Sequence, residues 1–208
     1  MYRFYFNLPK NDQNAGTVFL PTKKHTMLPI VISCYACVAH WAKRLDEDLR
    51  DAVIKNNMGY VTMELPGDKT DPRETTCIRW ENNLYDMLEW VKIKKFAHPN
   101  KIGLFAQGLP AVAADNLKHK IDTAAFSILN IPGHTADFTA SIPTLYLQGT
   151  GEKIELLTTK KAPLVEVTRR ENPENKSAEL TFQTVDDYLY KASAQAAAEI
   201  VAWLNKLW

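Results

Sequence analysis

From Leu28 onward, short apolar runs alternate with helices that are apolar along one stripe only. This alternation constrains the fold more than any other feature. A run apolar on both sides, such as Leu-Pro-Ile-Val-Ile-Ser at Leu28–Ser33, must be covered on both faces. Strand–helix–strand connections supply that cover and lay the strands parallel. The pattern predicts strands at Leu28–Ser33, Met58–Leu65, Ile102–Phe105, Ala124–Ile131 and Thr144–Leu147, with Leu164–Thr168 and Leu180–Thr184 after them. It predicts helices at Trp41–Asn56, Ile78–Lys95, Ala111–His119 and Ala192–Trp208, and a shorter one near Glu152–Lys160. Polar stretches at Asp68–Thr76 and Arg169–Ser177 are expected as loops.

Two strands precede this region, Tyr2–Pro9 and Gly16–Pro21, around the polar turn Lys10–Asn14. Alternating Tyr2, Phe4 and Phe6 suit a half-buried antiparallel strand, so a hairpin at one sheet edge is expected. The expected whole is an α/β protein of three layers. Its mostly parallel central sheet has about seven or eight strands, and residues 1–208 form one domain. No repeat or linker marks a second domain. At helical spacing Trp41, Leu45, Leu49, Val53 and Ile54 share a face; Ile78, Leu84, Leu88 and Val91 do so in the second expected helix.

With 25 basic and 24 acidic residues, the formal charge is +1. Such balance gives no electrostatic footing for nucleic acid or an anionic membrane. No apolar run is long enough for a membrane helix, and Met-Tyr-Arg-Phe-Tyr-Phe does not read as a signal peptide, so a cytoplasmic chain is expected. Three cysteines, an odd number, fit a reducing compartment. Cys34 and Cys37 have C-x-x-C spacing, but no second ligand pair accompanies them. Nothing points to a metal or an organic cofactor.

Lys101-Ile-Gly-Leu-Phe-Ala-Gln-Gly-Leu-Pro-Ala111 carries the strongest functional signal. It reads as an apolar strand, a tight turn and the start of an Ala-rich helix. That is the setting of a nucleophile elbow, G-x-S-x-G, and the five positions here are Ala106-Gln107-Gly108-Leu109-Pro110. Glycine stands where the elbow carries its serine.

With these segments in order, the chain resembles the α/β-hydrolase family over nearly its whole length. It is most similar to compact dienelactone-hydrolase-type or small esterase-like members without an inserted lid. Leu28–Cys34 resembles the strand leading to the oxyanion loop, and Gly59–Gly67 the strand that ends in a D-x-P-G-like turn. Arg79–Val91 resembles the helix before the elbow, Pro99–Phe105 the approach to it, and Ile142–Gly149 the strand delivering the acid. The resemblance places the nucleophile position at Gly108 and the acid at Glu152. It places the histidine position at Asp187, with Asp186 beside it. No histidine follows His134, and Cys34-Tyr35-Ala36-Cys37 stands where the oxyanion loop usually carries His-Gly.

Glycine offers no nucleophile, and an aspartate with pKa near 4 is a poor base toward an alcohol. The first reading is therefore a non-catalytic member, a pseudoenzyme with a binding, scaffolding or regulatory role. The alternative is a hydrolase of small esters, thioesters or lactones, with an unorthodox nucleophile or in a disabled form. Its nucleophile would be Cys37 or Cys34, with His40 or His134 as base. Under either reading Cys34, Tyr35, Gln107, Gly108, Leu109, Asn130 and His134 are expected to line a ligand pocket. The free N–H groups opening the helix at Ala111–His119 would favour a small anionic or ester-like ligand there. Tyr188, Tyr190, Trp203, Leu207 and Trp208 concentrate apolar bulk near the C-terminus, where they are expected to pack the last helix onto the sheet; the terminal Trp208 could instead join an interface with a protein partner or a second copy.

Overall fold

A computed structural model of the chain describes residues 1–8, 11–22, 27–36, 40–65, 73–121, 125–130, 139, 141–149, 167–182 and 192–208, with the backbone alone at 11–14, 40–42, 73–75, 109 and 125–130. The strands are β1 (Tyr2–Leu8), β2 (Asn11–Leu20), β3 (Leu28–Ala36), β4 (Gly59–Leu65), β5 (Ala97–Gln107), β6 (Ala125–Asn130), β7 (Thr144–Gly149), β8 (Val167–Asn172) and β9 (Ser177–Phe182). The helices are α1 (His40–Lys55), α2 (Arg73–Lys92), α3 (Leu109–Leu117) and α4 (Ser193–Leu207). Among the described residues all nine strands join one sheet, in the order β1-β2-β4-β3-β5-β6-β7-β9-β8.

The expectation of a mostly parallel sheet needs correction, because the sheet is mixed. Strands β4, β3, β5, β6, β7 and β9 run parallel. The hairpin β1–β2 joins one side antiparallel through β4, as expected. On the other side β8 pairs antiparallel with β9, which was not expected. Arg169–Ser177 was expected as a linking loop, but Arg169–Asn172 is strand, and residues 173–176 alone make the turn. β8 hid because it is an edge strand exposed along most of its length, so it shows no apolar alternation. Three further boundaries shift. β2 starts at Asn11, inside the expected turn. β5 starts at Ala97 rather than at Ile102. α2 starts at Arg73, inside the expected loop, and ends at Lys92. The expected helix near Glu152–Lys160 lies outside the described residues.

Helices cover both faces. On one face Leu45, Leu49 and Val53 of α1 pack with Ile200, Trp203 and Leu204 of α4 over Val31, Tyr60, Phe105 and Leu145. Their spacing of four puts the α1 residues on one stripe. Asn57, in the left-handed region at φ 58°, ends α1. Behind it, Met58 N–H donates at 3.2 Å to the Val53 carbonyl, which also accepts from the Asn56 N–H at 3.1 Å, and the helix closes there. On the other face α2 and α3 pack over Ile30, Ile32, Cys34, Val61 and Leu104. The buried stripe of α2 is Trp80, Leu84, Met87, Leu88 and Val91. Ile78, expected within that stripe, is exposed.

The two sheet edges differ in chemistry. β1 carries exposed Tyr2 and Tyr5 with Arg3 as its one charge. β8 carries Arg169, Arg170 and Glu171 in succession.

Candidate functional site

The site begins where β5 stops. β5 is central, between β3 and β6, and its Gln107 lies beside Asn130 at the end of β6. Cys34 lies beside Ala106, so Tyr35 and Ala36 also reach this end of the sheet. Ligands of open α/β sheets bind at the carboxyl ends of the strands. Gly108 then turns the chain into α3 with φ 63° and ψ −134°. An L side chain adopts such a conformation only under strain, of about 1–3 kcal/mol. Glycine adopts it freely.

Pro110 follows in the first turn of α3, where a missing N–H is harmless. The Ala111 N–H donates to the Gly108 carbonyl at 3.1 Å and closes that turn. Ala111, Ala113 and Ala114 are fully buried, so small side chains let α3 lie close against its neighbours. At its other end Lys118 is buried with Asp115, 2.6 Å away, and with the Tyr146 hydroxyl of β7. This half-buried ion pair fixes the helix that follows the elbow to the strand expected to deliver the acid. Neither Lys118 nor Tyr146 was singled out in the sequence, where a lysine near a helix end reads as a solvated charge.

The structure brings Tyr35, Gln107, Gly108 and the backbone of Leu109 and Asn130 to one end of the sheet. Glu152, Asp187, Cys37 and His134 lie outside the described residues, and His40 is described by its backbone in α1. Cys34 requires a correction. It is fully buried in the core beneath α2 and α3, so it neither lines a pocket nor presents a nucleophile. Burial, with the Asp46 charge nearby, pushes its thiol far above the ordinary value of 9.0. A reactive cysteine needs the opposite shift.

Under the approach to the oxyanion-loop position lies a polar cluster that the sequence did not announce. Asp46 of α1 is 5% exposed. Its Oδ1 accepts from the Ser33 hydroxyl at 2.5 Å, the Tyr60 hydroxyl at 2.7 Å and the Thr62 hydroxyl at 3.4 Å. Burial raises the Asp46 carboxyl above its ordinary value of 3.8, while the Ser33 and Tyr60 hydrogen bonds and the Arg50 charge pull the other way. The cluster ties α1 to β3 and β4 one residue before Cys34. Among the described residues no three His, Cys, Asp or Glu side chains gather as a metal site would require. No helix among them is long and apolar enough to cross a membrane.

The sheet order, the layers and the strand–glycine–helix turn define an α/β-hydrolase fold. Solved structures carry the same fold. Est1E from Butyrivibrio proteoclasticus is similar over 98% of this chain and 99% of its own, with a TM-score of 0.66 at 9% identity. An esterase of Pyrobaculum calidifontis is similar over 99% of this chain and 85% of its own, with a TM-score of 0.63 at 11% identity. The 2,6-dihydroxy-pseudo-oxynicotine hydrolase is similar over 99% and 67%, with a TM-score of 0.66 at 13% identity. No family model and no curated protein sequence matches the chain.

Proposed function

We propose that this chain uses the α/β-hydrolase fold to bind a small ester-like or anionic molecule at the elbow, without forming an acyl-enzyme at residue 108. The observation that carries this reading is Gly108. Its backbone takes the elbow turn at φ 63°, and it has no side chain to aim. The first-turn N–H groups of α3 support an anionic ligand. On this reading the chain is a single lidless domain in the cytoplasm, with a scaffolding or regulatory role toward a protein partner or a second copy of itself. Asp187 at the histidine position fits the same reading, since a carboxylate is a weak base toward an alcohol.

The named neighbours favour a second reading, because one is an esterase and another is a hydrolase. A hydrolase of small esters, thioesters or lactones would then take its nucleophile from Cys37, with His40 or His134 as base. Attack on the carbonyl would release the alcohol and leave a thioester for water to resolve.

Hydrolysis of short-chain p-nitrophenyl esters and thioesters separates the two. The purified chain is expected to give no turnover above buffer, while a short-chain carboxylate raises its melting temperature. A Gly108→Ser/Asp187→His variant is expected to lose about 1–3 kcal/mol of stability at the strained elbow. Turnover by the unsubstituted chain that disappears in Cys37→Ser or His134→Ala would establish the second reading instead.

A further inference from the structure

A pocket of about 280 Å³ opens between the β8–β9 turn and the end of α4. It is far from the elbow. Ser177 opens β9 and Phe182 closes it, and β9 runs parallel to β7 in the parallel block that contains β5. Ser177 therefore sits at the opposite end of the sheet, roughly 17 Å of strand away from the carboxyl ends.

The lining joins an apolar floor to a positive rim. Leu207 of α4 and the exposed edge of the otherwise buried Trp203 supply the floor, and Arg169, Lys176 and Lys206 supply the charge. Arg169 is already matched, since its guanidinium pairs with Glu171, which also lines the pocket, and lies 3.9 Å from Glu199. Lys176 and Lys206 have no ion-pair partner among the described residues. Two positive charges thus remain uncompensated at the rim. Ser177 Oγ accepts from the Thr144 N–H at 2.9 Å, which leaves its own O–H to donate.

The wall is fixed before any ligand arrives. Asn172 Oδ1 accepts from the Glu174 N–H at 3.0 Å, and Asn175 Oδ1 accepts from the Ser177 N–H at 3.1 Å. The Lys176 carbonyl accepts from the Trp203 indole N–H at 3.1 Å, which ties the turn to α4. Lys176 itself sits in the left-handed region at φ 59°. Glycine would take that conformation without strain, yet a lysine stands there. Ordered walls reduce the entropy lost on binding.

We propose that this pocket is a second ligand site, and that it takes an organic anion with a flat apolar body and a carboxylate, sulfonate or phosphate head. The body rests on Leu207 and touches the exposed edge of Trp203, and the head meets Lys176 and Lys206. The volume lies just below the usual range for ligand sites, about 300–1,000 Å³, which selects a ligand of one or two rings. The elbow does not contribute, so this site stands or falls independently of the function proposed there.

Fluorescence titration of the full chain with 2-naphthalenesulfonate, a two-ring anion, tests the site. Saturable binding is expected, weakened at least tenfold in Lys176→Gly/Lys206→Gln and retained in Lys176→Arg/Lys206→Arg. Lys176→Gly alone removes charge and backbone strain together, so its melting temperature is expected to hold or rise while binding weakens. In the unsubstituted chain, saturation is expected to shift the Trp203 indole N–H resonance, assigned with Trp203→Phe. No binding, equal affinity in the Lys176→Gly/Lys206→Gln variant, or an unmoved Trp203 resonance would overturn the proposal.

Discussion

Asp46 is a carboxyl group held almost out of water by hydroxyls from two strands. Its folded value lies above the ordinary 3.8, chiefly through burial. Between those two values the folded chain keeps a proton that the unfolded chain has released. Stability therefore falls as pH rises through that window and levels off above it. Asp46→Asn keeps an acceptor for Ser33 and Tyr60 and removes the titration. The variant is expected to match or exceed the parent at neutral pH, with the gap closing toward about pH 4, as urea unfolding across that range will read. A parent whose stability rises with pH over the same range would contradict the burial. Gly108 was legible in the sequence because a strand, a turn and a helix meet at it. Asp46 was not. It borders the apolar stripe of α1 and reads as one more charge on an amphipathic helix. Only the register of β3 and β4 reveals the hydroxyls beneath it.

The hairpin shows how a glycine can fix the packing of an element. Gly16 of β2 sits directly opposite Phe6 of β1. A Cβ at Gly16 would run into the Phe6 ring and stand 2.6 Å from the Thr62 carbonyl oxygen of β4. The Phe6 ring in turn stacks on Trp90 of α2, with centroids 4.3 Å apart. The backbone carbonyl cannot retreat, so Gly16→Ala is expected to lower stability by about 1–3 kcal/mol. Phe6→Leu should recover part of that loss, and urea unfolding of the single and double variants gives the coupling. A neutral Gly16→Ala would mean that this ring does not cover the glycine. Among the elements, those with one buried stripe or two buried faces were legible. β8 was not, because a strand exposed on both faces has no reason to alternate. The stripe of α2 was only partly legible: Ile78 follows the helical period, yet the tertiary packing turns that position outward.

At the scale of the molecule, the two apolar cores share one sheet. Trp80 and Trp90 lie against the core beneath α2 and α3, and Trp203 lies in the core beneath α1 and α4. A strand between them contributes alternate residues to each, as Val31 and Ile32 do. Loss of one core strips a face from the other. Thermal unfolding followed by far-ultraviolet circular dichroism and by tryptophan fluorescence is therefore expected to give coincident transitions. Two separated transitions would mean two independently folding parts and would defeat the single-domain reading. The overall fold was legible because alternation repeats along the chain and each repeat confirms the others. The acid and histidine positions, Glu152 and Asp187, were placed only through the family resemblance. Loop positions at strand ends carry no period from which to read them.

The unequal rims of the sheet limit how copies of this chain can assemble. A filament of stacked sheets needs two adhesive rims, because each added copy must offer a free edge to the next. Here the rim at β8 is blunted by Arg169, Arg170 and Glu171, while the rim at β1 presents Tyr2 and Tyr5. Joining through β1 uses up the adhesive rim of both partners and leaves only charged strands facing outward. Growth by this route is expected to stop at two copies, with the same charges that hid β8 in the sequence opposing further addition.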